Sequence, residues 1–499
     1  MELTVSLACL YTFVIKPARS PLNAIPGPPP ASFILGNLRE LLDNHWDEGN
    51  YPEPCLSWAQ KYGGAVLYRT AMFHRVILTD PDALKHIYQT NGDNYPRDTS
   101  SRSYLRHLIG GDGLLSSEGR AHKDMRKLLA PHFAFGNVKS FVGVFQRHTH
   151  RLCAYLDSVD GTGLSIDLQN LFTQLSLDII GLSAFGYDFG SLAGENSNTL
   201  RAYHTLSAPV SLPYVLGQIL VPGFARLPLP ALREAEAAKA VLFKVVDDVV
   251  EAKLKRPATK TSSLDLLDLM LDSATNHTIS AAQARVHVLT FLLAGHETTS
   301  VTLSWVFAML ARHPDAAKRV RDECRAVLQG NDVTWTALGE LKYTTAVIHE
   351  TLRLFPTITH PAMRLSSADD VVPMTTGKPM FLPKGTTIFI HLGVLHRNPK
   401  YWFQPSEFIP DRFLEGTSAF LADKALRGGR SSTYFYMPFS TGGKNCIGMR
   451  FAMAELQVVV ATLVAKYSFQ LSSEANTHPK MTGISLKPTH LTMHVTAAT

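Results

Sequence analysis

A proline-rich segment near the N-terminus is the feature that most limits how this chain can fold. Between Pro21 and Pro30, five of the ten residues are prolines. Each proline fixes its own φ angle and lacks a backbone N–H, so the segment cannot form a helix or a central strand. We therefore expect residues 21–35 to be a stiff hinge between a short N-terminal segment, residues 1–20, and a body that spans residues 36–499.

The N-terminal segment contains an apolar run of 13 residues, Leu3–Ile15, followed by Lys16 and Arg19. As a helix this run is about 20 Å long, shorter than the roughly 30 Å hydrocarbon core of a bilayer. Glu2 before the run and positive charge after it favour a short membrane anchor that leaves the rest of the chain in the cytosol. A cleaved secretory peptide and a buried helix are the alternatives.

The body has a mainly helical pattern with short β signals at Ala65–Tyr68, Arg75–Leu78 and Gly385–Ile390. No internal repeat or low-complexity linker divides it, so we predict one large domain, mainly α with a small β region.

Pro209–Pro230 is apolar but contains too many prolines for a lipid-exposed transmembrane helix. It is either a core loop or a surface loop that enters the membrane interface.

Charge and cysteine content exclude several classes of protein. The net charge is +6 and no long run of Lys and Arg occurs, so nothing indicates nucleic-acid binding. The five cysteines are scattered, odd in number and form no C-x-x-C pair, which argues against a disulfide framework and for a reducing compartment.

The strongest local signal is a glycine-rich loop around Cys446. Its sequence is Phe439-Ser-Thr-Gly442-Gly-Lys444-Asn-Cys446-Ile-Gly448, and an apolar stretch at helical spacing follows. The glycines permit a tight loop, and a helix N-terminus next to Cys446 favours the thiolate, the form that binds metal. The alternative is a buried structural cysteine on a glycine-rich turn.

Two motifs upstream of this loop supply a possible ion-pair cluster. Glu350 and Arg353 are three residues apart on one helix face, where they can pair. The segment Pro410-Asp-Arg412-Phe413 contributes a second arginine from a loop. Such a cluster is either a solvated salt bridge of small energetic value or a buried structural lock.

A polar cluster interrupts the long apolar helix predicted over Leu289–Trp305. Gly295 would let a ligand or a water molecule approach the helix backbone closely. Glu297 followed by Thr298 can hold water and deliver protons. The alternative is a polar patch where two helices cross.

These four motifs, in this order, resemble the cytochrome P450 superfamily, and the resemblance extends from the proline-rich hinge to the C-terminus. It implies a mainly α fold with a small β region, haem b as cofactor, and Cys446 as the thiolate ligand of its iron. It implies that Glu297 and Thr298 serve oxygen activation and that Glu350, Arg353 and Arg412 form a structural lock. The other residues that it implies for haem binding are His122, Arg126, Arg364, Phe439, Gly442, Lys444 and Gly448.

Two positions depart from the pattern of the family. His122 stands where many members have tryptophan, four residues before Arg126, and Lys444 stands where an arginine commonly occurs, two residues before the cysteine. Both residues can still donate to haem propionates, although Lys lacks the bidentate fork of Arg. The substitutions therefore bear on the tightness of haem binding.

Other enzyme classes lack support in the sequence. H-E-x-x-H would need histidine at Ser300 or Arg353, so a zinc hydrolase is not indicated. No G-x-G-x-x-G opens a βαβ unit, so the chain shows no flavin or nicotinamide site of its own. Electrons must then come from a partner protein.

The resemblance implies a microsomal monooxygenase that inserts one oxygen atom from O₂ into an apolar small organic molecule, most simply by hydroxylation. NADPH would supply electrons through NADPH–cytochrome P450 reductase, with cytochrome b5 as a further candidate partner. The enzyme would lie on the endoplasmic reticulum membrane, facing the cytosol. Terpenoid, fatty-acid and polyketide substrates stay open, with secondary metabolism as the expected context by analogy. The candidate docking residues for the reductase are Arg120, Lys123, Lys127, Lys444 and Arg450.

Two alternatives to a monooxygenase stay open. The first is a haem-thiolate isomerase or dehydratase that rearranges peroxides without O₂ or a reductase; the Glu297–Thr298 pair argues against it. The second is a haem-binding protein without catalysis, in which a proton-delivery cluster would have no purpose.

Overall fold

The structure is a computed structural model that describes residues 11, 15–42, 46–195, 197–206, 217, 221, 223–224, 227–255, 265–271 and 280–498. Most of the predicted anchor, Leu3–Ile15, and most of Pro209–Pro230 lie outside these residues. None of the helices within the described ranges is both long and apolar enough to cross a bilayer.

Helices dominate the described chain, as the sequence predicts. In chain order they are Lys16–Ala18 (α1), Leu38–Leu42 (α2), Cys55–Tyr62 (α3), Pro81–Lys85 (α4), Thr99–Leu108 (α5), Gly119–Leu129 (α6), Phe135–Ser140 (α7), Val142–Val159 (α8), Leu168–Phe185 (α9), Ser197–Leu206 (α10), Pro230–Lys255 (α11), Leu266–Leu271 (α12), Ala281–Arg312 (α13), Pro314–Leu328 (α14), Trp335–Glu340 (α15), Lys342–Leu354 (α16), Leu392–Leu395 (α17), Ser418–Leu426 (α18) and Met449–Lys466 (α19).

The strands are short and form small sheets. They are Ala65–Thr70 (β1), Phe73–Leu78 (β2), Ile166–Asp167 (β3), Arg364–Leu365 (β4), Asp370–Val372 (β5), Met380–Leu382 (β6), Thr387–Phe389 (β7), Tyr467–Leu471 (β8), Asn476–Thr482 (β9), Ser485–His490 (β10) and Thr492–Ala497 (β11). The sheet orders are β1-β2-β7-β4, β5-β6, β10-β9 and β3-β11-β8. The three predicted β signals are confirmed, because they correspond to β1, β2 and β7. A mainly α fold with a small β region is likewise confirmed.

Contacts within the chain divide it into two compact units. The first contains residues 1–102 and 353–446, and the second contains residues 103–352 and 447–499.

Strands of the four-stranded sheet contribute to two hydrophobic clusters of the first unit. The β1–β2 hairpin is antiparallel, with Ala65 opposite Leu78, and β2 pairs in parallel with β7. Leu22 and Ile25, from the predicted hinge, are buried in the hydrophobic cluster that includes β2 and β7. The Pro26 carbonyl also accepts a hydrogen bond of 2.9 Å from the Leu67 N–H. This part of the proline-rich segment is therefore packed against the first unit.

The second unit is built around α13, the long helix that the sequence predicts over Leu289–Trp305. A capping box starts it: the Ser280 hydroxyl accepts from the Gln283 N–H, and the Gln283 side chain accepts from the Ser280 N–H. It ends before Pro314, which cannot continue the helix and instead occupies the first turn of α14. Its buried face packs extensively against α9.

Candidate active site

The Cys446 loop is closed by its own backbone. The Cys446 N–H donates to the Phe439 carbonyl over 2.8 Å, and the Asn445 N–H donates to the Gly442 carbonyl over 3.2 Å. Gly442 has φ +71°, and a Cβ at this position would lie 2.4 Å from the backbone oxygen of Tyr88. Glycine is thus required at residue 442 both by the backbone angle and by the close approach of the neighbouring chain.

Exposure separates Cys446 from the other cysteines that the structure describes. Cys446 is exposed, whereas Cys55, Cys153 and Cys324 are buried. Burial raises the pKa of Cys55 and of Cys324 to about 12 and also raises that of Cys153, so these three remain thiols. Cys446 is thus not held in the core as the other three cysteines are.

A helix follows the cysteine, as the sequence predicts. Gly448 occupies the N-cap position and α19 starts at Met449, three residues after Cys446. Lys444 is half-buried in a short 3-10 turn just before the cysteine. The start of a helix favours negative charge nearby, so this position suits a thiolate.

The first unit also contains two buried arginines on adjacent backbone segments. Arg364, on β4, lies with its guanidinium 5.0 Å from the ring centre of Tyr88, and its Nε has no hydrogen-bond partner among the described residues. Arg97 is buried as well and forms a backbone bridge with Arg364. Arg97 belongs to no sequence motif, and only the folded chain reveals its pairing with Arg364.

Arg353 and Arg412 fasten one loop of the first unit. Arg353 donates to the carbonyls of Pro405 (2.6 Å) and Glu407 (2.9 Å). Arg412 donates to the Phe403 carbonyl (3.0 Å) of the same loop. Both arginines are buried, so the alternative of a solvated salt bridge is wrong for them.

Asp423, on α18, is a partner of this cluster that the sequence motifs do not reveal. It is buried, accepts from Arg412 Nη1 over 2.8 Å and from the Phe403 N–H over 2.6 Å, and also contacts Arg427.

Three other predicted site residues lie in the second unit. Glu350 is fully buried on α16. His122 and Arg126 lie one turn apart on α6, the first buried and the second half-buried.

Glu297 is held by two hydroxyl groups. The Tyr203 hydroxyl, from α10, donates to Glu297 Oε2, and the Ser485 hydroxyl, at the start of β10, donates to Oε1 over 2.5 Å. The carboxyl is buried, and burial raises its pKa, while the two hydroxyl donors and Lys487 act in the opposite direction. Tyr203 and Ser485 are far from Glu297 in sequence, so no local signal could have identified them.

The Thr298 hydroxyl forms its hydrogen bond within its own helix, α13. Its hydroxyl donates to the Ala294 carbonyl over 2.8 Å, and Thr302 repeats this bond to the Thr298 carbonyl over 2.7 Å. Serine and threonine commonly form such bonds within apolar helices. A Cβ at Gly295 would lie 2.8 Å from Ile180 on α9, so glycine at this position allows the two helices to pack closely. The approach of a ligand to the backbone at Gly295 stays a prediction.

The residues fit a haem. The iron needs a soft ligand, and Cys446 offers an exposed thiol at the start of a helix. The two propionates need cations, and Arg364 is a buried arginine whose Nε lacks a partner in the described chain. Leaving that guanidinium nitrogen unsatisfied is costly, which favours an anion beside it.

Comparisons with known proteins agree with this chemistry. A sequence model of the cytochrome P450 family matches residues 26–495, which covers both units. Cytochrome P450 monooxygenase claW of Ampulloclitocybe clavipes is 30% identical over 486 residues, 91% of this chain and 87% of the relative. Cytochrome P450 3A7 of Homo sapiens is 30% identical over 489 residues, 95% of this chain and 91% of the relative. Cytochrome P450 monooxygenase 91 of Postia placenta is 28% identical over 497 residues, 91% of this chain and 89% of the relative.

The extent of the family match confirms the prediction of a single large catalytic domain with the cytochrome P450 fold. The domain boundaries predicted at residues 20 and 35 stay predictions. The named relatives support an oxidoreductase with monooxygenase activity, and the family implies haem with a thiolate ligand. The chain belongs to the cytochrome P450 family.

Proposed function

We propose that Cys446 is the axial thiolate of haem b and that the enzyme inserts one oxygen atom from O₂ into an apolar organic molecule, with hydroxylation as the reaction. The observation that carries this proposal is the exposed Cys446 thiol in a backbone-closed loop directly before α19. We assign the buried Arg364 and Arg97, together with Lys444, to the haem propionates.

Haem bound through a thiolate supplies the redox chemistry, because electron donation from sulfur assists cleavage of the O–O bond. The residues of the chain position the reacting groups and supply protons. The loop closed by Phe439, Gly442 and Cys446 fixes the sulfur position through backbone hydrogen bonds. On α13, Glu297 is the carboxyl group that can take and give a proton, and Thr298 is the neighbouring hydroxyl.

A small pocket in the second unit beside Ala294 of α13 supports an apolar substrate. Its lining is mostly apolar, and its polar side-chain groups are the Glu297 carboxyl and the hydroxyls of Tyr104 and Tyr203. A lining of this kind favours a substrate that is mostly hydrocarbon. The lining residues are Tyr104, Leu105, Leu108, Ile109, Leu115, Tyr203, Leu206, Leu293, Ala294, Glu297, Gly483 and Ile484.

Electrons come from NADPH through NADPH–cytochrome P450 reductase, which docks on a basic surface. Arg120, Lys123 and Lys127 on α6 are all exposed, and their spacing places them on one face of the helix. The charge-reversed pair Lys123→Glu and Lys127→Glu should slow reduction by the reductase, whereas exposed Lys342→Glu on α16 should not. High salt should slow the wild type more than the double variant; equal salt dependence would contradict this docking site.

The location at the endoplasmic reticulum depends on the apolar run Leu3–Ile15. Removing residues 1–20 should release the expressed protein from the microsomal fraction, and retention of the truncated protein there would contradict an anchor in this segment. Cytochrome b5 as a second electron donor and a role in secondary metabolism rest on analogy with the family.

The central test is the reduced carbon monoxide difference spectrum. The wild type should show the Soret band of a thiolate-bound haem, Cys446→Ala should lose it, and the buried-cysteine control Cys55→Ala should keep it. Persistence of the band in Cys446→Ala would overturn the assignment. Product formation that requires NADPH and O₂ distinguishes a monooxygenase from a peroxide isomerase, which needs neither, and from a carrier, which forms no product.

A further inference from the structure

Glu297 lines two cavities of different character in the second unit. One is the apolar pocket described above. The other, called the polar cavity below, has charged and polar side chains in its lining and is about 240 Å³ in volume, enough for several water molecules. Its lining residues are Asp167, Gln169, Asn170, Thr173, Tyr203, His204, Glu297, Ser300, Val301 and Lys487. Of the residues that line these two cavities, Glu297 and Tyr203 line both.

The hydrogen bonds of Glu297 point away from Thr298. Tyr203 and Ser485 occupy its two carboxyl oxygens, while the Thr298 hydroxyl donates to the Ala294 carbonyl. The acid and the alcohol of α13 are therefore each held by a different partner. The position of the carboxyl group is set by Tyr203 on α10 and Ser485 on β10, which pack against α13 from outside that helix.

The reaction requires protons, and most side chains of the apolar pocket carry none that can exchange. Hydroxylation converts one O₂, two electrons, two protons and one substrate molecule into the hydroxylated product and one water. Leucine and isoleucine side chains line most of the apolar pocket and carry no exchangeable proton. The polar cavity carries amide, hydroxyl and charged groups on the other side of the same carboxyl.

We propose that Tyr203 and Ser485 are positioning residues that hold the Glu297 carboxyl at the wall between the two cavities, and that protons reach Glu297 from the polar cavity. This inference rests on the proposed oxygen insertion. Glu297 takes one proton from the polar side for each proton that it releases on the other side, so its own charge is restored after each transfer. Tyr203 and Ser485 donate hydrogen bonds throughout and give up no proton.

The charged and titratable groups around Glu297 are compatible with such a relay. Burial raises its pKa toward the range in which a carboxyl both accepts and releases protons. Lys487, on β10, opposes that shift, and burial in turn lowers the pKa of Lys487. The other titratable groups that face this site are Asp167, His204 and His296.

Infrared difference spectroscopy of the resting haem protein tests the placement without any substrate. The carboxyl band that Glu297→Gln removes reports the protonation of Glu297 as pH is varied. Tyr203→Phe and Ser485→Ala each remove a donor to the carboxylate, so each should shift this titration upward, by a tenfold or larger change in the protonation constant. The exposed controls Tyr155→Phe and Ser473→Ala should titrate as the wild type does.

The fate of O₂ tests the proton route. With NADPH and added reductase, Tyr203→Phe and the cavity-narrowing Thr173→Leu should release several-fold more hydrogen peroxide per NADPH than the wild type, with unchanged reduced carbon monoxide spectra. Titration and peroxide release in Tyr203→Phe that match those in Tyr155→Phe would overturn the proposal. Failure of the proposed function gives a different result. The wild type then forms no hydroxylated product, while the infrared titration still reports the protonation of Glu297 and its dependence on Tyr203 and Ser485.

Discussion

Glu455 provides a direct test of how burial controls charge in this protein. It lies on α19, is almost completely buried, and its Oε1 has no hydrogen-bond partner in the described part of the chain. Burial raises the pKa of this carboxyl from its ordinary 4.5 to about 8, against a smaller opposing effect of Ser176. The folded protein therefore holds Glu455 mostly neutral at pH 7.

This shift has a definite consequence for stability. Above pH 4.5 the unfolded chain ionises Glu455, whereas the folded protein keeps the proton until about pH 8. Between these two pH values folding must take up a proton. The contribution of Glu455 to the free energy of unfolding is therefore fully present below pH 4.5 and is lost as pH rises to 8, by about 1.4 kcal/mol for each pH unit. Glu455→Gln is neutral at every pH and should lack this loss, which amounts to about 4 kcal/mol at most between about pH 5 and 8.

Urea unfolding followed by far-UV circular dichroism over this pH range measures the effect. Between pH 5 and 8 the urea midpoint of Glu455→Gln should change less than that of the wild type. Glu455→Met, whose side chain is of similar length, should behave in the same way. The exposed control Glu474→Gln should follow the wild-type profile. Wild-type and Glu455→Gln midpoints that fall in parallel as pH rises would refute the reasoning.

Two further substitutions test the first unit. Asp423→Asn leaves the buried arginines beside it without a counter-charge and should lower the free energy of unfolding by about 3–5 kcal/mol, measured by urea unfolding; a loss no larger than that of exposed Glu415→Gln would contradict the assignment. Gly442→Ala should reduce both thermal stability and haem retention, because the new Cβ would lie 2.4 Å from a backbone oxygen. Its neighbour Gly443→Ala meets open space and should behave as the wild type does, so equal effects of the two changes would count against this account.

The features that the sequence predicts correctly are local ones. Apolar spacing and a proline stop define α13, and a glycine-rich loop before an apolar run locates the start of α19. Strands β1 and β2 follow from β-branched and aromatic residues between turn signals. In each case the determinants lie within a few residues of the element that they specify.

The partners of the site residues could not be predicted, because they come from distant parts of the chain. Glu297 meets Tyr203 and Ser485, which are 94 and 188 residues away. Asp423 belongs to no motif, and only the folded loop brings it to Arg412. Gly295 is a related case: its residue type suits both a bound ligand and a close helix crossing, and only the folded chain shows that Ile180 packs against it.

Burial is the physical property that decides which cysteine can act. The same amino acid at Cys55 and Cys324 is held as a thiol by desolvation, which raises the pKa of each to about 12. Cys446 is exposed instead, and its loop is closed by backbone hydrogen bonds. A loop with this construction keeps the sulfur accessible and fixed at once, the two properties that a metal ligand requires. The motif and the exposure are therefore independent reasons for assigning the iron to Cys446, and the Cys446→Ala spectrum tests them together.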